Sequence, residues 1–164
     1  MINKMVNESL ICLDLKANTK DEVFNEMVEL LNAQGKLSDR EQFLKDVYAR
    51  EEIDNTGFEE GVAIPHAKSS AVAEPAVAIG VSKSGIEYGA EDGKKSTVFF
   101  MIASPEGATD HHIDVLAELS SKLIEDGFID ALQKATSPKQ ALALLLEKKQ
   151  LTNTVAADKG FIIG

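Results

Sequence analysis

The stretch "TVFFMIA", residues 97–103, restricts the fold of this 164-residue chain more than any other. A strand with one face in water alternates apolar and polar residues, whereas this stretch is apolar at nearly every position. Both of its faces must therefore be covered, and helices usually cover the faces of such a buried strand. The sequence predicts a central strand that lies between two layers of helices.

The remaining strands and helices are predicted from similar patterns. Apolar segments of strand length also occupy residues 10–15, 62–64 and 76–82. Three N-cap signatures precede runs of apolar residues at helical spacing, and they are Thr19 with Glu22, Ser38 with Glu41, and Ser137 with Gln140. A further helical stripe follows residues 109–110 and ends near Gly127. Because helices both precede and follow most of the strands, we expect an α/β three-layer sandwich with a mixed sheet.

The charge of the chain restricts its partners. Its formal net charge is −10, and the acidic residues are spread along the sequence. This argues against binding to nucleic acid or to an anionic membrane surface, since both attract clustered Lys and Arg. The longest apolar run, "VFFMIA", is far shorter than the roughly 20 residues that span a bilayer, and "MINKMVNESL" lacks the apolar core of a signal peptide. We therefore expect a cytoplasmic protein with no direct membrane insertion.

The segment "EGVAIPHAK", residues 60–68, ends an apolar run on a histidine. Pro65 fixes its own φ and restricts the residue before it, so the backbone that enters His66 is stiff. Ala67 leaves room beside the imidazole. A stiff, uncrowded imidazole suits a nucleophile that must present one nitrogen to an incoming group, and a histidine packed at a strand end is the plainer alternative.

A second candidate segment, "ATDHHIDVLAELS", begins a predicted helix with His111 and His112 in its first turn. N–H groups at a helix start bind phosphate, and the helix dipole favours anions there. Adjacent helical residues point about 100° apart, so the two histidines cannot share one role, and spacing alone leaves open which of them faces the site. Arg50 ends an earlier helix, where it either complements the helix dipole or binds phosphoryl oxygens through its planar guanidinium.

Together, Arg50, His66 and the histidine pair indicate a site that handles phosphate. Zinc needs three or four convergent ligands, and the one cysteine, Cys12, supplies no cysteine-based zinc motif. The sequence also contains no glycine-rich phosphate loop of the "GxxxxGK" type, which argues against ATP binding. We therefore expect neither a metal nor a cofactor.

Several motifs carry a resemblance to a known family. "GVAIPHAK" resembles the phosphorylation-site motif of enzyme IIA domains of the fructose–mannitol type, from the bacterial sugar phosphotransferase system. "RE" followed by "NTG" precedes this motif at the family's spacing, and "HIDVLAELS" is similar to the family's later helical element. "SKSGIEYGAEDG" and "FFMIASPEGA" are most similar to the fructose branch. The resemblance covers residues 7–149.

The resemblance implies a mixed, mostly parallel five-stranded sheet with helices on both faces. Residues 1–149 would form the phosphocarrier domain, and residues 150–164 a C-terminal tail or linker stub. His66 would accept a phosphoryl group from phospho-HPr and pass it to a cysteine of an enzyme IIB domain. The membrane component IIC would then take up and phosphorylate a sugar, which the branch identifies as fructose or a related sugar.

The resemblance also assigns the residues around His66. His112 matches the family's second active-site histidine, and it lies four residues before Leu116 on the apolar side of the helix. Arg50 matches the arginine before the "NTG" turn, and Glu60 falls where an acidic residue often lies near the site. His111 departs from the common pattern, so we expect it to be a bystander.

Three other functions are compatible with parts of this pattern. A nitrogen-regulatory member of the same family would use His66 but act through protein binding. A non-catalytic interaction module would keep the fold alone, although the intact "IPH" with Arg50 and His112 argues against this. A metal hydrolase would need ligands that the sequence does not bring together.

Overall fold

The computed structural model describes residues 2–107 and 109–147, apart from the side chains of residues 109–111. The predicted tail, residues 150–164, and the domain boundary at residue 149 therefore lie outside the described residues, as does the side chain of His111. No helix in the described part of the chain has the length and apolar character that crossing a bilayer requires.

Within the described residues, five strands form one mixed sheet. They are β1 (Ile11–Cys12), β2 (Val62–Ala63), β3 (His66–Ser69), β4 (Ala76–Ile86) and β5 (Ser96–Pro105). The order is β1-β4-β5-β2, and β3 also pairs with β5. The β4–β5 pair is antiparallel, whereas β1 runs parallel to β4, and β2 and β3 run parallel to β5. The predicted mixed, mostly parallel five-stranded sheet is confirmed.

Strand β5 is the buried centre that the sequence predicted. It pairs on one side with β4 and on the other with β2 and β3. Its middle residues have no exposed surface, and they are Val98, Phe99, Phe100, Met101, Ile102 and Ala103. The observed strand is longer than the predicted 97–103. Pairing with β4 and β3 continues beyond the two ends of the apolar run, to Ser96 and Pro105.

Strands β2 and β3 lie end to end along the same edge of β5. Pro65 separates them because it has no N–H to donate to a strand ladder. The chain nevertheless stays beside β5, since the N–H of Ile102 donates to the carbonyl oxygen of Pro65 at 3.0 Å. The sequence analysis predicted the first piece as 62–64 and did not predict β3 as a strand.

In the part of the chain that the structure describes, five α-helices cover the two faces of the sheet, which confirms the three-layer α/β sandwich. They are α1 (Lys20–Ala33), α2 (Arg40–Ile53), α3 (Thr109–Leu123), α4 (Phe128–Lys134) and α5 (Pro138–Leu146). Helix α1 packs on β4 and helix α2 on β3, while α4 packs on β4 and β5 and α5 on β1. Helix α4 was not predicted, and Gly127, expected to end α3, instead precedes α4 with φ +81°.

The structure confirms two of the three predicted N-caps. The hydroxyls of Thr19 and Ser137 accept hydrogen bonds from the N–H groups three residues later. The prediction for Ser38 is wrong, because the carboxylate of Asp39 accepts from the N–H of Gln42 at 3.1 Å and caps α2. Ser38 lies at a bend before the helix, where its own N–H donates to the carbonyl of Ala71 at 2.8 Å.

The cap assignment predicts unequal effects for neighbouring substitutions. Asp39→Ala should lower the free energy of unfolding by about 1 kcal/mol, because a helix N–H loses its acceptor. Ser38→Ala should lower it by less than half as much, since the exposed Ser38 hydroxyl is not the cap. Urea denaturation followed by circular dichroism measures both variants. A larger loss for Ser38→Ala would contradict the observed cap.

Candidate functional site

The backbone fixes which nitrogen of His66 carries a proton. His66 begins β3 directly after Pro65, and its Nδ1 lies 2.8 Å from the carbonyl oxygen of Ile64. A carbonyl oxygen only accepts hydrogen bonds, so Nδ1 must be the protonated nitrogen. In the neutral ring the lone pair then lies on Nε2, which is the nucleophilic position.

The surroundings of His66 favour its neutral form. Burial of the ring is the largest influence and lowers its pKa, and the positive charge of Arg50 lowers it further. The hydrogen bond to Ile64 and the charge of Glu51 act in the opposite direction but do not compensate. The net result is a pKa below the ordinary value, so the ring of His66 is neutral at neutral pH.

His112 lies beside His66. It is in the first turn of α3, is 6% exposed, and its ring centroid is 5.3 Å from that of His66. Its Nδ1 lies 2.6 Å from the hydroxyl oxygen of Ser104, a fully buried residue of β5. The structure therefore brings together two of the predicted site residues, with Ser104 holding the second one in place.

The register between β3 and β5 explains why the two rings meet. His66 pairs with Ile102 and Lys68 pairs with Ser104. Side chains alternate between the two faces along a strand, so His66 and Ser104 point to the same face of the sheet. Because Ser104 bonds His112, the ladder places both imidazoles on that face.

Arg50 lies in the last turn of α2. Its Nη1 donates to the carbonyl oxygen of Asp54 at 2.9 Å, which anchors the guanidinium at the end of the helix. Its charge is one of the influences on the pKa of His66, so the cation acts on the same site. A guanidinium offers five N–H donors, and one of them is used by Asp54.

Glu60 is positioned differently from these three residues. It adopts a left-handed backbone conformation with φ 62°, and its carboxylate pairs with Nζ of Lys94 at 3.1 Å. Its own N–H donates to a carboxylate oxygen of Asp92 at 3.1 Å. The side chain is 75% exposed, and its contacts connect it with Asp92 and Lys94.

The sequence analysis missed a buried polar cluster next to the site. Glu51, Thr56 and Tyr88 are joined by hydrogen bonds, and Tyr88 and Thr56 are 2% and 4% exposed. The motifs "RE" and "NTG" contain Glu51 and Thr56, which was a usable signal. Tyr88 lies between the predicted strands 76–82 and 97–103, outside every predicted element, so no pattern indicated it. Ser104 had a weak signal, because it is a polar residue at the end of an apolar run.

This geometry can transfer an anionic group between nitrogen nucleophiles. A neutral imidazole offers Nε2, a second imidazole lies beside it, and the positive charge of Arg50 acts on the same ring. Among the described residues, no group of three His, Cys, Asp or Glu side chains could hold a metal ion.

Known proteins share both this sequence pattern and this fold. Residues 4–148 match the family model for "Phosphoenolpyruvate-dependent sugar phosphotransferase system, EIIA 2". The "PTS system fructose-specific EIIABC component" of Bacillus subtilis (strain 168) is 38% identical over 136 residues, which are 83% of this chain and 21% of that protein. The "PTS system fructose-like EIIA component" of Escherichia coli (strain K12) is 31% identical over 137 residues, covering 84% of this chain and 92% of that protein.

A solved structure gives the same answer for the fold. The nitrogen regulatory protein IIA-Ntr from Neisseria meningitidis superposes with a TM-score of 0.81 at 29% identity, covering 88% of this chain and 98% of that chain. The chain spans only about a fifth of the length of the Bacillus relative. The match to the family model nevertheless extends over most of this sequence. The chain therefore belongs to the EIIA type 2 family of the phosphoenolpyruvate-dependent sugar phosphotransferase system.

Proposed function

We propose that this chain is a phosphoryl carrier in which Nε2 of His66 accepts a phosphoryl group from phospho-HPr and passes it to a cysteine of enzyme IIB. The observation that carries the proposal is the hydrogen bond from Nδ1 of His66 to the carbonyl oxygen of Ile64. It leaves Nε2 as the nucleophilic nitrogen of a neutral imidazole whose pKa is lowered.

The transfer step balances without a further reactant. The lone pair of Nε2 forms a bond to phosphorus while the N–P bond of the donor phosphohistidine breaks, and the donor nitrogen leaves with that electron pair. The ring of His66 gains positive charge and keeps its Nδ1 proton. The Nδ1–H group continues to donate a hydrogen bond to the carbonyl oxygen of Ile64. In the second step the ring leaves as neutral imidazole when the thiolate of enzyme IIB attacks phosphorus.

Arg50 and His112 supply the charge compensation that this step needs. A phosphorylated side chain carries close to two negative charges at neutral pH. Phosphoryl transfer depends mainly on positioning and on stabilising the charge of the equatorial oxygens. The proximity of the His112 ring to His66 and the effect of the Arg50 charge on the pKa of His66 support this assignment. Glu60 stays in the proposal only as an acidic residue close to the segment that leads to His66.

The proposed pathway continues beyond this chain. The name of the Bacillus relative joins A, B and C components in one protein and describes it as fructose-specific. By analogy, phosphoryl groups from His66 would reach a sugar through IIB and the membrane component IIC, and the sugar would be fructose or a related one. The reaction would take place in the cytoplasm. Residues 1–149 would act as the carrier domain and residues 150–164 as its tail or linker.

The likeness to the Neisseria nitrogen regulatory protein supports a second candidate function. A regulatory carrier would also be phosphorylated on His66 but would not deliver the group to a IIB cysteine. Transfer from phosphorylated protein to purified IIB of the fructose type separates the two functions. Transfer favours sugar transport, and phosphorylation without transfer favours regulation.

The acceptor assignment predicts the behaviour of His66→Ala. This variant should fold and take up no label when incubated with labelled phosphoenolpyruvate, enzyme I and HPr, because the nucleophile is missing. Mass spectrometry under conditions that preserve phosphohistidine identifies the modified residue in the wild type. Label on His66→Ala at the wild-type level would contradict the proposal.

His112→Ala should still accept label but transfer it more slowly. Loss of one charge-stabilising donor typically costs about 100- to 1000-fold in rate, and partial compensation by Arg50 would place the defect at the lower end. His111→Ala is the matched control and should transfer at close to the wild-type rate. Rapid-quench kinetics of transfer to IIB compares the two. A larger defect for His111→Ala would exchange the assigned roles.

The lowered pKa of His66 sets the pH dependence of phosphoryl acceptance. Only the neutral ring is nucleophilic, and the folded protein protonates it less readily than an ordinary histidine, whose pKa is about 6.5. The acceptance rate should therefore fall as the ring is protonated and reach half of its high-pH value only at a pH below about 6.5. Titration of the His66 Cε1–H resonance should give the same midpoint. A midpoint above 6.5 would show that burial and Arg50 do not control the ring.

A further inference from the structure

A continuous chain of hydrogen bonds connects the carboxylate of Glu51 to the imidazole of His66. Glu51 accepts from the N–H of Thr56 at 2.9 Å and from its hydroxyl at 2.5 Å. The carbonyl oxygen of Thr56 accepts from the N–H of Ile64 at 3.0 Å. The carbonyl oxygen of Ile64 in turn accepts from Nδ1 of His66 at 2.8 Å. Ile64 is thus bonded to Thr56 through its N–H and to His66 through its carbonyl oxygen.

Glu51 is buried and ionised. Its side chain is 8% exposed, and Nζ of Lys20 lies 3.0 Å from it. Burial is the largest influence on its pKa and would raise it, but the bonds from Thr56 and the charge of Lys20 outweigh burial and lower it. The Tyr88 hydroxyl, 3.3 Å from Oε1, adds a further contact. Burying a charge is costly, and the hydrogen bonds from Thr56 and the charge of Lys20 offset that cost.

The need of Thr56 for a carboxylate is specific. Its N–H and its hydroxyl reach the two different oxygens of Glu51. A glutamine at this position offers one accepting oxygen. Its amide NH₂ would either face the N–H of Thr56, which only donates, or oblige the Thr56 hydroxyl to accept, and the ion pair with Lys20 would be lost in both cases. The isosteric change would therefore weaken the contact that holds the 56 turn. The carbonyl of Thr56 holds Ile64, so this weakening would reach the group that holds His66.

We propose that Glu51 is a positioning residue that fixes His66 as its Nδ1–H tautomer and so keeps the lone pair on Nε2 for phosphoryl transfer. It acts through Thr56 and Ile64 and does not touch the transferred group. The catalytic half of this statement rests on the proposed carrier function. The tautomer half does not, because the hydrogen-bond chain exists without any phosphoryl donor.

The charge of Glu51 gives a second signature of the same arrangement. It raises the pKa of His66 and thus opposes the effects of burial and Arg50. Removing that charge should move the titration midpoint of His66 to lower pH. The amount of neutral ring at neutral pH would not fall, so a slower transfer in Glu51→Gln could not be explained by protonation of His66.

Asp46 provides a matched control on the same helix. Its carboxylate accepts from the hydroxyl of Ser69 at 2.5 Å, which also joins α2 to β3. Ser69 is three residues beyond His66, so its side chain points to the opposite face of the sheet. Asp46→Asn therefore weakens another carboxylate–hydroxyl contact made from α2. It leaves the hydrogen bonds that lead from Glu51 to His66 unchanged.

The test combines long-range ¹H–¹⁵N spectra of the His66 ring with the rate of labelling by phospho-HPr. Wild type and Asp46→Asn should show a protonated Nδ1 and a bare Nε2. Glu51→Gln should show exchange between both tautomers and label about 10- to 100-fold more slowly, the range found when residues that orient metal-binding histidines are replaced. Unchanged ring spectra in folded Glu51→Gln, or a rate within twofold of wild type, would overturn the proposal.

Two substitutions at Thr56 keep the proposal testable if Glu51→Gln does not fold. Thr56→Val removes the hydroxyl donor at nearly constant volume and should shift the tautomer in the same direction, whereas Thr56→Ser keeps the donor and should resemble wild type. Equal ring spectra in Thr56→Val and Thr56→Ser would also contradict the role of the chain. If wild-type His66 shows the Nδ1–H tautomer but accepts no label, the carrier function fails and the positioning by Glu51 stands.

Discussion

The parallel ladder between β3 and β5 is the constraint on which the site depends. It sets His66 opposite Ile102, and two residues later it sets Lys68 opposite Ser104. A shift of the ladder by one residue would turn every side chain of β3 to the other face. His66 would then leave His112, and Ser69 would lose the carboxylate of Asp46 on α2. The buried apolar core of β5 makes such a shift costly, so the packing of the sheet also secures the chemistry.

The last turn of α2 supplies two opposite charges to one imidazole. Arg50 and Glu51 are neighbours in the sequence, and adjacent helical side chains diverge by about 100°. Arg50 contacts the carbonyl of Asp54 near the surface, whereas Glu51 turns inward to Thr56. Their charges have opposite effects on the pKa of His66. One helix end thus carries two opposite charges that act on the same imidazole.

Short sequence patterns correctly predicted the central strand and two of the helix caps. The long apolar run in β5 and the hydroxyl caps at Thr19 and Ser137 were recognisable because each is decided by a few adjacent residues. Strand β3 was not recognisable, because its four residues include Lys68 and follow a proline. Helix α4 has seven residues, too few for a clear period, and its first neighbour is a glycine that usually ends helices.

The same distinction applies to the candidate site. His66, His112 and Arg50 carry chemistry in their own side chains, and their motifs are similar to those of a known family. The cluster around Glu51 joins residues 37 positions apart, since Tyr88 reaches back to the end of α2. Such a contact exists only after the sheet and helices have assembled, so no short pattern in the sequence announces it. Ser104 is an intermediate case, because its place on β5 follows from strand alternation once the strand is known.

The interruption at Pro65 also affects how other proteins can meet this molecule. The β2–β3 line forms an edge of the sheet, and an intact edge offers a row of N–H and carbonyl groups on which a foreign strand can pair. Here β2 has only two residues, its outer side is already bridged by Gly57 to Ala63, and the proline beside His66 has no N–H to offer. The edge next to His66 therefore offers a foreign strand no continuous row of backbone groups with which to pair. The edge is therefore protected against the strand-to-strand association through which exposed sheet edges aggregate.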